Sequence, residues 1–351
     1  MAIHRAAAAA AIAFRHISRR FLSTSSAASP SLLGYFHQPE PTKSLADAFQ
    51  PLTASSPSLS LGFLPADAAA SEFDLFDSRH GLVLLRGNGP FLPDFLVCDT
   101  VSRRHALFPS PPIRGREFVG AALLSRAGRR FEFDAVCLTV HGDRPRAWLA
   151  SYRDGAWCWT ALPPSRDVAI DFDPILLEER CVHAADGLYW HIRRDDRALV
   201  LDTVTMKFSL VRPPALIWEL AHYRFGEMPD DGRLCVAALA EQKLRLCVRR
   251  TGSADGWVLE RETCLSKVFD SVPELPEYPL SREFIIFLGG VDPGRAGRVF
   301  IRTFGYGCFS YHLDTGKLDI WIWLDRLATD DGLEYGRFIF PYFSSPDCRF
   351  D

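Results

Sequence analysis

The residues of this chain that could do chemistry are its ten histidines, its nine cysteines and a set of adjacent acidic pairs. A zinc site needs closely spaced thiolates, yet the cysteines never form a Cys-x-x-Cys pair, and an odd number cannot all pair within one chain. Cys98, Cys137, Cys158, Cys235 and Cys247 stand singly on apolar stretches and are expected as buried, reduced thiols. No two histidines have metal-ligand helical spacing. His183 and His191 flank Gly187 on opposite sides and read as satisfied core or surface residues. Glu178–Glu179, Asp195–Asp196, Asp230–Asp231 and Asp330–Asp331 could serve general acid–base chemistry or calcium. Each falls in an expected loop, where turn chemistry or a solvated edge accounts for it.

Gly-x-Ser-x-Gly, His-Glu-x-x-His and the phosphate-binding Gly-x-x-x-x-Gly-Lys-Ser/Thr pattern are all absent. Gly87-Asn88-Gly89 and Gly305-Tyr306-Gly307 lie between apolar runs and suit hairpin turns better than phosphate cradles. The expectation is therefore no catalytic residue, no cofactor, no metal and no enzymatic activity. Arginine pairs at 103–104, 129–130, 193–194 and 249–250 raise the question of RNA. They sit beside expected hairpins, where charge protects strand edges, and the formal net charge is −3. Nucleic acid is not an expected partner. No apolar run reaches the length that spans a bilayer, so no membrane partner is expected either.

The elements that carry these residues are short. Hydrophobic residues make up 48% of the 351, with 24 glycines and 24 prolines spread along the chain, a pattern of many strands and turns. Residues 1–31 form a basic Ala/Ser-rich arm whose Ile3, Ala10, Phe14, Ile17 and Phe21 fall on one helical face. Arg5, Arg15, Arg19 and Arg20 come before any acid. That description fits a mitochondrial or plastid transit peptide; the competing and preferred reading is a short helix followed by a flexible linker.

Residues 32–351 contain a repeat. Asp77-Ser78-Arg79-His80-Gly81-Leu82 answers to Ala184-Ala185-Asp186-Gly187-Leu188. Leu96-Val97-Cys98-Asp99-Thr100 answers to Leu199-Val200-Leu201-Asp202-Thr203, and a partial third copy is His312-Leu313-Asp314-Thr315. The period of roughly one hundred residues holds two units of about fifty, close to a kelch-like blade. Gly81 and Gly187 are expected at tight turns that lead into inner strands. Asp99, Asp202 and Asp314 are expected to close hairpins through their side chains. The fold class that follows is all-β: a β-propeller of about six four-stranded blades preceded by a short N-terminal helix or arm. Leu32–Phe36 and 337–343 are expected to pair and close the ring. The tryptophans at 148, 157, 159, 190, 257, 321 and 323 are expected to pack mostly between blades.

With that repeat, Leu32-Leu33-Gly34-Tyr35-Phe36-His37, Asp77-x-x-His80-Gly81-Leu82-Val83 and Phe95-Leu96-Val97-Cys98-Asp99-Thr100-Val101-Ser102-Arg103 with its trailing Pro111-Pro112 resemble the plant, grass-type F-box proteins with an F-box-associated propeller. The resemblance implies a substrate-recruiting part of an SCF-type ubiquitin ligase, located in cytoplasm or nucleus, with an unidentified protein partner. It also implies a Skp-type adaptor met by a helix carrying Phe14, Ile17, Phe21 and Leu22. The Leu-Pro-x-x-Leu opening and Trp-bearing helix of an F-box are absent, so the resemblance supplies only a remnant of the adaptor-binding module. The alternative is an organelle-targeted, mitochondrial propeller that binds a small molecule or acts as an enzyme through its central cavity. An interaction module predicts no cluster of titratable residues at the cavity mouth; the alternative requires one.

Overall fold

A computed structural model describes residues 32–37, 44–64, 73–87, 95–108, 110–112, 118–126, 131–193, 195–217, 222–228, 232–240, 242–250, 256–270, 286–288, 297–303, 307–313, 315–322 and 339–343. The described residues form six antiparallel sheets. Blade 1 joins β1 (Leu32–His37) and β2 (Phe49–Pro51) to β23 (Ile339–Phe343) from the far end of the chain. Blade 2 holds β3 (Phe73–Arg79), β4 (Leu82–Gly87), β5 (Phe95–Asp99) and β6 (Arg104–Phe108). Blade 3 holds β7 (Phe118–Arg126), β8 (Phe133–His141), β9 (Arg144–Arg153) and β10 (Ala156–Ala161). Blade 4 holds β11 (Val182–Ala184), β12 (Gly187–His191), β13 (Ala198–Asp202) and β14 (Phe208–Val211). Blade 5 holds β15 (His222–Glu227), β16 (Leu234–Ala240), β17 (Lys243–Arg249) and β18 (Trp257–Cys264), followed by the one-turn helix α1 (Leu265–Asp270). Blade 6 holds β19 (Ile286–Leu288), β20 (Arg298–Thr303), β21 (Gly307–His312) and β22 (Leu318–Ile322).

In blades 2 to 6 the strands meander in chain order. The first of each approaches the first of a neighbouring blade: β3 lies near β7, β11 near β15 and β15 near β19. These strands ring the axis. β23 takes the same place in blade 1, against β3, and pairs Phe36 with Phe340 and Tyr35 with Pro341. The first described strands and the last thus share one sheet, and the ring closes. The chain is a six-bladed β-propeller. Its blades have the expected four strands, except that blade 1 shows three among the described residues.

The core is a set of layers between blades rather than one central mass. Val136, Leu138, Leu188, Trp190 and Leu201 fill the seam of blades 3 and 4. Phe76, Phe95, Leu123 and Phe133 fill that of blades 2 and 3, and Tyr189, Phe225 and Val236 that of blades 4 and 5. A strand buried on both faces needs apolar residues at successive positions, and β5 and β12 are buried throughout. Each such large side chain contributes about 1.5–3 kcal/mol. Trp148, Trp157 and Trp159 pack in the seam of blades 2 and 3, Trp190 in that of 3 and 4, and Trp257 in that of 4 and 5. Side-chain placement of Trp321 and Trp323 lies outside the described residues.

Three expectations need correction. The strands after Gly81 and Gly187, β4 and β12, are the second of their blades; β3 and β11 are innermost. Gly81 does stand in its turn, with His80 at φ 55° and Gly81 at φ 73°. In blade 4 those two turn positions belong to Ala185 (φ 42°) and Asp186 (φ 59°), and Gly187 is the first residue of β12. Gly187 is needed there for another reason: a Cβ would lie 2.8 Å from the Tyr189 ring. Finally, Cys158 is exposed on the outermost strand of blade 3, whereas Cys98, Cys137, Cys235 and Cys247 are buried.

Candidate functional site

The innermost strands all run the same way, so the propeller has a mouth face, where they begin, and a hairpin face, where they end. At the mouth, the loop before β11 bends inward and carries Glu178, Glu179 and Arg180. Its course is held by Glu178 N–H donating to the His191 carbonyl and Arg193 N–H donating to that of Leu176. The Glu179 carbonyl presses on Gly120, where a Cβ would meet it at 2.0 Å. Two ion pairs then cross between blades: Arg86 with Glu179, and Arg224 with Glu178 at 3.2 Å. The guanidinium groups of Arg86 and Arg180 both lie over the Phe76 ring, at 5.8 and 5.6 Å, and Arg86 also lies over Phe118. Burial pulls the Arg180 guanidinium below its ordinary range, while Asp74 and Glu179 hold it up. The Arg86 Nε is buried with no hydrogen-bond partner among the described residues. Behind Arg224, His191 is buried against Tyr223 and Phe225; burial and the Arg224 charge hold its pKa well below the usual value, so it is neutral at neutral pH.

Deeper in the channel, Asp77 of β3 binds across two blades. Its Oδ2 accepts the Leu123 N–H at 2.7 Å and lies 2.9 Å from His183 Nε2. Burial works to raise its pKa, but His183, the Leu123 N–H and Arg79 outweigh that and hold it below the carboxylate norm. Asp77 is thus ionised, and His183 donates to it. Cys181, two residues before His183 on the same chain, has a thiol pushed well above its ordinary value by burial and by the Asp77 charge. The arrangement contains a Cys, a His and an Asp, but the thiol stays protonated, and a protonated thiol is a poor nucleophile.

On the hairpin face, Asp99 Oδ1 accepts from Val101 and Ser102 N–H, and Asp202 Oδ1 from Val204 and Thr205 N–H. Asp314 lies outside the described residues. In that turn the Asp202 position belongs to His312: its N–H donates to Lys317, its carbonyl accepts from Gly316, and its Nδ1 accepts from Thr315 N–H. The third copy of the repeat is therefore displaced by two residues from the sequence alignment. Gly81 offers its carbonyl to the Tyr342 hydroxyl, which accepts in turn from Thr100. Phe14, Ile17, Phe21 and Leu22 lie outside the described residues, as do Asp230–Asp231 and Asp330–Asp331. Asp195 and Asp196 pair with Arg197 and Arg212 in a loop, as expected. Glu178 and Glu179 lie in a loop, as expected, and Glu179 is exposed, but both also pair with arginines of other blades at the mouth. Nothing in their local sequence marks this, because their partners are 93 residues away for Glu179 and in the next blade for Glu178.

Among the described residues no group of three or more metal-ligating side chains comes together, and no helix is long and apolar enough to cross a membrane. No protein-family model and no curated protein matches the chain. Solved structures do. The β-propeller domain of Cps50 (Swd1) from Myceliophteria thermophila is similar at 15% identity over 72% of this chain and 73% of that one, with a TM-score of 0.38. A protein from Lactobacillus plantarum is similar at 11% identity over 82% and 81%, TM-score 0.45. An α-L-arabinanase from Penicillium chrysogenum is similar at 11% identity over 83% and 85%, TM-score 0.37. At such identities the likeness is one of fold alone.

Proposed function

We propose that the chain is a non-enzymatic protein-interaction propeller, the substrate-recruiting part of an F-box-type ubiquitin ligase receptor. One observation carries this reading: the ionisable groups around the axis are engaged with one another across blades. Arg86 holds Glu179, Arg224 holds Glu178, and Asp77 holds His183 and a backbone N–H, which fastens the ring instead of presenting a reactive pair. Adaptor binding by residues 1–31 is the part of the proposal carried only by sequence resemblance. Mixing the full chain with a purified Skp-type adaptor tests it. A stable complex supports the ligase role. Failure to bind removes the ligase role and leaves an interaction propeller.

A second reading has its own support. Titratable residues do cluster at the mouth, which an interaction module was not expected to show and a small-molecule site requires. Asp74, Arg86, Glu178, Glu179, Arg180 and Arg224 would suit a small ligand carrying both charges. A thermal-shift series with small zwitterionic and dicarboxylate ligands separates the two. A saturable rise in melting temperature that Arg86→Met abolishes favours the small-molecule reading, and a flat response favours the first.

A further inference from the structure

We propose that Arg86 receives a carboxylate from a segment of a partner protein, and that Glu179 is the placeholder which this carboxylate displaces. The inference rests on the interaction reading and names the chemistry of the partner. The Arg86–Glu179 pair is unequal. Arg86 is fixed: it projects from the otherwise buried strand β4, and its guanidinium lies over the rings of Phe76 and Phe118, at 5.8 and 5.5 Å. Its Nε is buried with no hydrogen-bond partner among the described residues. Arg180, 5.6 Å from the same Phe76 ring, adds a second positive charge close enough to act on the first. Glu179 has only its backbone fixed, by its carbonyl against Gly120 and by the Glu178 N–H bond to His191. The Glu179 side chain is 53% exposed, against 25% for Arg86. A carboxylate that can turn out into water leaves an ion pair at little cost, whereas a partly buried guanidinium that must stay in place is left uncompensated. A carboxylate from outside can therefore replace Glu179 on Arg86, while a cation drawn to Glu179 would strand Arg86. Glu178 does not exchange in this way, being 13% exposed and held by Arg224.

The same loop supplies an apolar contact. Ile175 is 70% exposed. It sits in the single turn Pro174–Leu176, where Asp173 Oδ1 accepts the Ile175 N–H at 3.1 Å and the Arg193 guanidinium donates to the Ile175 carbonyl. A lone exposed apolar residue is ordinary on a protein surface. This one is held out by a braced backbone, within about 14 Å along the chain from Glu179. A partner segment with one apolar and one acidic residue covers both positions, and a free dicarboxylate covers Arg86 alone. The rest of that segment should be neutral or basic, because Asp171 and Asp173 precede Ile175 and are exposed.

Fluorescence polarisation of labelled peptides against the full chain tests this. Each peptide carries one leucine and one glutamate about three residues apart, about 10 Å when extended, and control peptides carry glutamine or lysine in place of the glutamate. The glutamate peptide should bind. Glu179→Gln should bind it about two- to fivefold tighter, the worth of an exposed ion pair removed from competition. Arg86→Met should weaken binding about tenfold or more, and Ile175→Ser about threefold or more. Glu179→Gln alters an exposed side chain and should keep the fold, so it decides the matter even where Arg86→Met does not fold. A glutamate peptide that Glu179→Gln fails to bind, or binds no more tightly than wild type, overturns the proposal. So does a lysine peptide that binds as well as the glutamate peptide. Succinate that competes as well as the unlabelled peptide, or an unchanged affinity in Ile175→Ser, overturns the assignment to a protein segment. A stable adaptor complex without the exchange at Arg86 would keep the interaction reading and discard this site.

Discussion

The mouth face and the hairpin face are built from the same strands but held by different forces. At the hairpin face ion pairs such as Arg153 with Asp134 and Arg298 with Asp319 stay within a blade, and other bonds run from side chains to the backbone of a turn or of the adjacent blade: Asp99 and Asp202 to their own turns, Ala185 N–H to Glu227, and the Tyr342 hydroxyl to Gly81. At the mouth, charged side chains from distant parts of the chain meet each other, as Arg86 does Glu179 and Arg224 does Glu178. The hairpin face repeats because each blade must reverse the chain there, and any blade with a suitable acceptor solves the problem alike. The mouth is assembled once, from side chains of blades 2, 4 and 5.

Asp77 is the link between the two, and its loss should be the largest single effect. Removing one partner of a buried charge pair leaves the other uncompensated, so Asp77→Ala should cost about 3 kcal/mol in urea unfolding. It also leaves the Leu123 N–H without its acceptor. If Asp77→Ala cost no more than a turn variant, the channel pair would be incidental and the contrast between the faces would fail. Because the Asp77 pKa is depressed in the fold, its contribution is present above the ordinary carboxylate range and is lost only as the pH falls below 3.8.

The mouth should give way at milder acidity. His191 is buried and neutral, with a folded pKa well below 6.5, so the unfolded chain binds a proton that the folded chain refuses. Stability should be full above pH 6.5 and should fall as the pH drops below it, by at most about 1.4 kcal/mol per pH unit. Urea midpoints at pH 7.5 and pH 5 measure this. His191→Gln should flatten the slope between those values while leaving the loss below pH 3.8, which belongs to Asp77. A slope unchanged in His191→Gln would assign the acid sensitivity elsewhere.

How far each face could be read from sequence follows the same division. Leu96-Val97-Cys98-Asp99 and Leu199-Val200-Leu201-Asp202 announced both the blade period and the turn chemistry, since local hydrogen bonds require their residues at fixed short spacing. The match failed where chemistry could be swapped: His312 accepts from Thr315 N–H in place of an aspartate, so aligning on Asp314 put the third copy two residues out of step. Gly187 misled for a related reason. The glycine is retained for the Tyr189 ring, while Ala185 and Asp186 take the left-handed positions. Glu178, Glu179 and Arg180 carried no signal, because a pairing across blades depends on ring closure and not on spacing.

The closing seam supplies the next test. The Tyr342 hydroxyl of β23 donates to the Gly81 carbonyl at 3.0 Å and accepts from the Thr100 hydroxyl at 2.9 Å, all three being buried or within the turn of blade 2. Tyr342→Phe keeps the ring against Phe36 and Phe49 and removes only the bridge. It should cost about 1–2 kcal/mol, since a carbonyl and a hydroxyl are left buried without their partner. A negligible cost would mean that blade 1 is closed by apolar packing and the β1–β23 ladder alone.

The smallest effects should separate the turns themselves. Asp202 Oδ1 accepts two N–H groups, at 2.9 Å from Val204 and 2.6 Å from Thr205, in a turn that also holds Met206 at φ 55°. Asp202→Ala leaves the backbone bonds from Met206 N–H to Asp202 and from Asp202 N–H to Lys207, so the turn persists and the loss should be about 1 kcal/mol, as for a helix cap. In the blade 6 turn the described bond to the His312 side chain is longer, 3.4 Å from Thr315 N–H to Nδ1, the Thr315 hydroxyl accepts from Lys317 N–H, and Gly316 already takes the left-handed position, φ 67°. His312→Ala should therefore change stability by less than about 0.5 kcal/mol. Met206→Gly should soften the Asp202→Ala loss by relieving the strain that the aspartate helps to hold. Equal losses at Asp202 and His312 would show that hairpin register is set by the strands and not by the side chain that caps each turn. The aspartates of the repeat would then mark the blades without holding them.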